Sequence, residues 1–315
     1  MRQILYIALA ILVTACGNRK AEKYSPLPFP AVNVPGIYAE DREAAMEYAM
    51  MHYWDGLADT SRSCPCDSSL VSGIRKVDVE NAFVNYIGLL GMADMETAGK
   101  SIARMYWRAV ECERKDTSSN VFETLTAFAE KYLYDPNSPL RIEDLYGVYA
   151  GLLSGYDGFS PEKRAVYAYD AEMCSLNAIG TPAADFFFSD ASGHMRNLYG
   201  VDAEYTLLFF SNPGCTACKD IINVLTSDAV VSGLVASGRL AVVNVYIDED
   251  ISAWYDYMPV YPSVWYNGYD PNGIIREDTL YNVRAIPSLY LLDSRKIVLM
   301  KDAPQDNVFR FLANI

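Results

Sequence analysis

Histidine is almost missing from this chain: His52 and His194 are the only two in 315 residues. Structural zinc held through a C-x-x-C pair needs a second ligand pair, another C-x-x-C or an H-x-x-x-H, and neither histidine belongs to one. Basic residues are also in deficit, 26 Lys and Arg against 40 Asp and Glu, for a formal charge of −14. Binding a phosphate backbone needs basic patches, so this balance argues against nucleic acid as a partner. No strict internal repeat is visible. The apolar stretch from Ile4 to Val13 is too short to span a bilayer as a mature helix.

Against these absences stands Cys215-Thr216-Ala217-Cys218, placed where a strand gives way to a helix. Tyr205-Thr206-Leu207-Leu208-Phe209-Phe210 before it is apolar and β-prone. Lys219-Asp220-Ile221-Ile222-Asn223-Val224-Leu225 after it carries apolar residues at helical spacing. Two thiols three positions apart at a helix start share one face. The first lies at the N-terminal end, where unpaired N–H groups and the helix dipole favour a thiolate. That arrangement suits dithiol–disulfide exchange: Cys215 attacks, and Cys218, one turn later, resolves the mixed disulfide. Zinc and a purely structural disulfide use the same spacing, but redox activity fits these surroundings better.

Further on, Asn282-Val283-Arg284-Ala285-Ile286-Pro287-Ser288-Leu289-Tyr290-Leu291-Leu292-Asp293 reads as a loop, a proline and a buried strand. By itself Pro287 would simply open an edge strand. Paired with the strand–CxxC–helix unit, it closely resembles the thioredoxin family, over residues 180–315. The resemblance implies an α/β fold with a partly parallel sheet. It also implies a cis Ile286–Pro287 bond facing the sulfurs. Ile286, Pro287 and the Thr216-Ala217 pair would then meet the substrate, with the Ile286 backbone pairing to an incoming strand. Ala184-Asp185-Phe186-Phe187-Phe188 followed by Asp190-Ala191-Ser192-Gly193 resembles the hairpin of the membrane-tethered, periplasmic branch, related to the AhpC/TSA–thioredoxin superfamily. The expected order is strand 205–210, helix 215–227, strand 240–247, an inserted segment 251–281, strands 288–292 and 296–301, and a helix near 305–314.

The chain departs from the family pattern in three places. Pro213-Gly214 replaces the tryptophan that usually precedes the first cysteine, and Thr216-Ala217 lacks the usual proline or histidine. Phe209 stands where thioredoxin places a buried acid. Proton transfer to Cys218 then needs another group: Glu249 and nearby Asp248 and Asp250, just after the strand 240–247, are the candidates, against the bland reading of a merely solvated acidic loop. Thiol peroxidase activity is a minor alternative, because the P-x-x-x-[ST]-x-x-C pattern of peroxiredoxins is out of register here: Pro213 is followed at the later positions by Ala217 and Asp220.

Met1-Arg2-Gln3 and the apolar stretch behind it are expected to form a signal peptide over residues 1–15. It ends in Val13-Thr14-Ala15-Cys16, which resembles a bacterial lipobox and implies acylation of Cys16. Residues 16–37, with Pro26, Pro28, Pro30 and Pro35, are expected to form a stiff tether, spanning about 3 Å per residue. No acidic run follows the lipid site, which favours the periplasmic side of the inner or outer membrane.

Residues 38–178 are expected to form an all-α domain and residues 179–315 the thioredoxin-like one. Helical spacing recurs over 39–54, 78–92, 95–114, 119–134, 141–154 and 160–176, with Ser160-Pro161 a capped start. His52-Tyr53-Trp54-Asp55, the turn from Tyr132 to Arg141 and Thr181-Pro182-Ala183-Ala184-Asp185-Phe186 resemble a bacterial lipoprotein family with an uncharacterised helical module. His52 is expected to be a satisfied core residue, and Asp135–Arg141 helix punctuation. Cys64, Cys66, Cys112 and Cys174 are compatible with disulfides in an oxidising compartment or with buried thiols. The whole implies an anchored periplasmic thiol–disulfide oxidoreductase, a reductase or isomerase, with neither metal nor cofactor. Its partners would be disulfide-containing envelope proteins, an upstream membrane or periplasmic thiol donor, and the membrane through its lipid. The competing class is a non-catalytic binding lipoprotein that uses the CxxC domain as scaffold.

Overall fold

The structure, a computed structural model, describes residues 25–61 and 67–315. The signal peptide, Cys16 with the start of the tether, and the pair Cys64 and Cys66 lie outside the described residues. Among the described residues no helix is long and apolar enough to cross a membrane.

In chain order the N-terminal elements are α1 (Arg42–Met51), β1 (Leu70–Val71), β2 (Ile74–Arg75), α2 (Lys76–Leu90), α3 (Met95–Lys115), α4 (Val121–Ala129), α5 (Glu143–Ser154) and α6 (Pro161–Ser175). Apolar side chains at helical spacing bury one stripe of α2, α3 and α5, whereas α4 is buried nearly all round. Asp41, Asp94 and Ser160 cap α1, α3 and α6, each accepting the N–H three residues on. The helix α4 continues through a wider π-type turn, Glu130–Tyr134. Tyrosines fill much of the core between these helices, and their hydroxyls find partners there. Tyr86 meets Ser101 at 2.6 Å, and Tyr149 meets Thr126 at 3.1 Å.

The expectation of an all-α domain needs one correction, the β1–β2 hairpin. Its two-residue turn, Ser72 (φ 49°) and Gly73 (φ 77°), is left-handed at both positions, which suits tight hairpins but gives no run long enough to show alternation. Part of the expected tether is also docked. The N–H of Leu27 donates to the Gly73 carbonyl at 2.9 Å, and Phe29 packs on Tyr53 and Trp54. Apolar residues set between the prolines make burial favourable for this stretch. His52 sits at the rim of the core, stacked on Tyr48 and bonded to Asp55 at 2.7 Å.

The C-terminal elements are β3 (Phe187–Ser189), β4 (Met195–Asn197), β5 (Tyr205–Phe210), α7 (Thr216–Ser227), α8 (Ala229–Ala236), β6 (Leu240–Tyr246), α9 (Ile251–Tyr257), β7 (Tyr266–Tyr269), α10 (Ile274–Glu277), β8 (Ser288–Asp293), β9 (Val298–Met300) and α11 (Gln305–Leu312). They form one sheet in the order β4-β3-β7-β6-β5-β8-β9, parallel among β5, β6 and β7. Side chains alternate between its faces. Leu207, Phe209, Leu289 and Leu291 face α7, α8 and α11, while Leu208, Phe210, Tyr290 and Leu292 face Phe186, Phe188 and Tyr281. The segment 251–281 is thus no mere insertion, because β7 extends the sheet. Its sequence, Tyr266-Asn267-Gly268-Tyr269, lacks an apolar run, and Gly268 is required by packing: a Cβ there would lie 2.5 Å from the Phe188 ring.

Buried charges join the two parts. Lys301 donates to Asp144 at 3.1 Å and to the Cys174 carbonyl at 2.5 Å, and lies 3.8 Å from Glu143. Arg141, in the turn expected to be punctuation alone, reaches the Asp302 carbonyl at 2.6 Å. The Ile179 N–H donates to Asp144 at 2.7 Å, and Asn177 bonds the Leu280 carbonyl at 2.9 Å. The Lys301 and Glu143 side chains are each 1% exposed. Removing one partner of such a cluster strands the rest, so Lys301→Met is expected to cost about 3–5 kcal/mol, read by denaturant unfolding. An effect below 1 kcal/mol would show the cluster to be slack.

Burial raises the Glu143 carboxyl above its ordinary range, against the pull of Lys301 and Arg284. The folded chain therefore holds this proton more tightly than the unfolded chain. Stability from this group is complete below its unfolded pKa, about 4.3, and falls as the pH climbs through the raised value. Glu143→Gln should lose that decline and gain on wild type as the pH rises; parallel melting curves check the sign.

Candidate active site

The strand β5 is buried from Thr206 to Phe210 and is followed by the buried Ser211. The chain then turns through Asn212, Pro213 and Gly214. Gly214 has φ 73° with open space where a Cβ would be, so the turn needs glycine for its backbone and not for room. Cys215 is the N-cap of α7, and its sulfur accepts the Cys218 N–H at 3.1 Å. Cys215 is half-buried, Thr216 and Ala217 are exposed, and Cys218 is 2% exposed among Ile221, Ile222 and Leu225. The two sulfurs form a disulfide, with Cα atoms 5.2 Å apart. One sulfur at the surface and one beneath it, both at the positive end of a helix dipole, is the layout an exchange reaction needs.

The second element follows from register. Phe210 pairs with Ser288, so β5 ends at the sheet edge where antiparallel β8 begins. Ile286 and Pro287 precede Ser288, and their peptide bond is cis. Ile286 packs against both apolar clusters of the sheet, one of which contains Cys218 and is touched by Cys215. Among the described residues, no hydrogen bond takes up the N–H or carbonyl of Ala285 or Ile286. The structure thus brings Cys215, Cys218, Ile286 and Pro287 to one edge of the sheet.

Glu249 is exposed on the turn after β6, and no side-chain bond ties it to the dithiol turn among the described residues. Its neighbour Asp248 is the acid tied to the dithiol turn, bonded to Asn212 Nδ2 and to Arg276. Asp250 instead caps α9. Beneath the turn lies a neutral network that the sequence did not announce. Ser211 Oγ donates to Asn244 Oδ1 at 2.5 Å and lies 3.3 Å from the Tyr261 hydroxyl, while Asn244 donates to Asn267 at 3.0 Å. Asn244 on β6 is the register partner of Phe209 on β5, so an amide on the next strand lies beside the position where the family's acid would be. Burial pushes the Tyr261 phenol up. The free thiols Cys112 and Cys174 are both buried and both pushed up by burial.

A domain of unknown function, DUF5106, matches residues 13–177. A thioredoxin-like protein from Bacteroides caccae is similar over 92% of this chain and 99% of its own, at 32% identity and a TM-score of 0.78. The C-terminal domain of an uncharacterised protein from Bacteroides fragilis is 43% identical over 44% of this chain and 98% of its own, with a TM-score of 0.42. A domain of a possible thiol-disulfide isomerase from Cytophaga hutchinsonii is 23% identical over 44% of this chain and 94% of its own, with a TM-score of 0.38. No curated protein matches. The chain belongs to the thioredoxin-like proteins, and its N-terminal half to the DUF5106 family.

In the reduced, folded protein, iodoacetamide at pH 7 is expected to alkylate Cys215 and spare Cys218, Cys112 and Cys174, as read by peptide mapping. Equal labelling of Cys215 and Cys218 would contradict the layered arrangement.

Proposed function

We propose that the chain is a membrane-anchored, periplasmic thiol–disulfide oxidoreductase, held by acylated Cys16 and acting on disulfides of envelope proteins as a reductase or isomerase. The observation that carries this reading is the Cys215–Cys218 disulfide at the start of α7, with Cys215 only partly buried and Cys218 buried behind it. Likeness to a thioredoxin-like protein along nearly the whole chain supports it.

In the reducing direction the Cys215 thiolate attacks one sulfur of a client disulfide. A mixed disulfide forms, and the client's other sulfur leaves as a thiolate that takes a proton from water. Cys218, deprotonated, then attacks the Cys215 sulfur and releases the client's second thiolate. Client and enzyme exchange two electrons, leaving the Cys215–Cys218 disulfide. A thiol donor must return those electrons through the same exchange. In isomerisation a client thiol, and not Cys218, attacks the mixed disulfide. The N–H and carbonyl of Ile286, without a hydrogen-bond partner among the described residues, supply a strand-like edge on which an extended client segment pairs, beside Thr216, Ala217 and Pro287. The proton-transfer role stays with the acidic turn 248–250, through Asp248, which is bonded to the dithiol loop.

Cys218→Ala should accumulate covalent adducts with envelope proteins that dithiothreitol releases, whereas Cys215→Ser should give none and reduce insulin only at the uncatalysed rate. Absence of both adducts and wild-type insulin reduction would refute catalysis and leave a binding lipoprotein.

A further inference from the structure

The loop that carries Ile286 and Pro287 is not held by its own sheet alone. Asn282 Nδ2 donates to Glu143 Oε1 at 2.5 Å. Arg284 donates through Nη1 to the Tyr134 carbonyl, and its guanidinium lies 4.0 Å over the Tyr134 ring. That ring stacks in turn on Tyr146 of α5, with centroids 4.1 Å apart and 14° between planes. Arg284 Nη2 lies 3.5 Å from Asp302 and 4.0 Å from Glu143. Beyond the proline, Ser288 donates to Asp302 at 2.8 Å, and Asp302 is itself bonded by Arg141.

Both flanks of the loop are therefore attached, directly or through one residue, to the helical part. Ala285 and Ile286, between the flanks, make no backbone hydrogen bond among the described residues. A guanidinium stacked on its face and bonded at its edge is fixed in position and in tilt, which a lysine ammonium would not be. Its Cα stands only two residues before Ile286. Any rocking of Arg284 is carried to the backbone on which a client would pair.

We propose that Arg284 is a positioning residue through which the helical part sets the height of the Ala285–Ile286 backbone above the dithiol, making the site selective for disulfides in extended peptides over small disulfides. This rests on the oxidoreductase function proposed above. A small disulfide needs only access to Cys215, whereas a peptide must also meet the Ile286 edge. Loosening that edge should therefore weaken peptide binding and leave the sulfur chemistry alone.

The test compares turnover of a disulfide-bonded peptide with that of glutathione disulfide, using the mature chain. Arg284→Met is expected to raise KM for the peptide about tenfold, with kcat and the glutathione disulfide rate held within about twofold. Arg284→Lys, which keeps charge without the fork or the stack, should fall between. Tyr134→Leu removes the ring from the helical side and should reproduce the rise; it decides the matter if Arg284→Met does not fold. An unchanged peptide KM, or equal losses for both disulfides, overturns the positioning role while leaving the wild-type activity standing. Wild-type protein inactive on both disulfides would overturn the oxidoreductase function, and this inference with it.

Discussion

Six residues of β5 lie against six of β8, from Tyr205 opposite Asp293 to Phe210 opposite Ser288, and the site depends on that register. Both faces of the two strands are buried, so alternate side chains are committed to different clusters. A slip of one residue would turn Leu289 and Leu291 toward the face that holds Phe186 and Tyr281, and Tyr290 toward α7. Burial on both faces forbids it. With the register fixed, the end of β5 and the start of β8 open at the same edge, and the dithiol turn and the prolyl loop emerge together. Below the turn, Ser211, Asn244, Asn267 and Tyr261 satisfy one another without a charge, which anchors it where the strands end.

The second constraint is electrostatic. Lys301, Arg284 and Arg141 meet Glu143, Asp144 and Asp302 in a region with little solvent. Desolvation opposes ionisation there, as the raised carboxyls of Glu143 and Asp302 show, so such a cluster adds little net stability over apolar packing. Its contribution is orientation. Apolar faces tolerate small rotations, but a lysine bonded to one carbonyl and one carboxylate, or an arginine fitted over a ring, does not. The helical part and the sheet are thereby held in one relation, with the prolyl loop at the seam.

Much of this was legible in the residues. The apolar run before Cys215, the helical spacing after it and the proline opening an apolar strand were strong local signals, and each lies at its expected place. The helices between Arg42 and Ser175 followed from periodicity. The hairpin at Leu70–Arg75 and the strand Tyr266–Tyr269 did not, because each is short and held by neighbours distant in sequence: Leu27 beside one, Val243–Tyr246 beside the other. Which of the three acids at 248–250 meets the dithiol turn was not legible, since neighbouring acids in a loop look alike until one, Asp248, meets Asn212. The amide network was hidden for the same reason, since asparagines in strands carry no local mark of a shared purpose.

Local chemistry along the chain was enough to specify a dithiol at a helix start, a prolyl strand entry and a set of amphipathic helices, because periodicity, turn residues and thiol spacing act over a few positions. Only the tertiary structure decided which acid touches the dithiol turn, that the Asp135–Arg141 turn reaches across to Asp302, and that Arg284 is clasped by Tyr134. Those contacts join residues up to some 160 positions apart, and no local pattern encodes them; they exist only once close packing has chosen which surfaces meet.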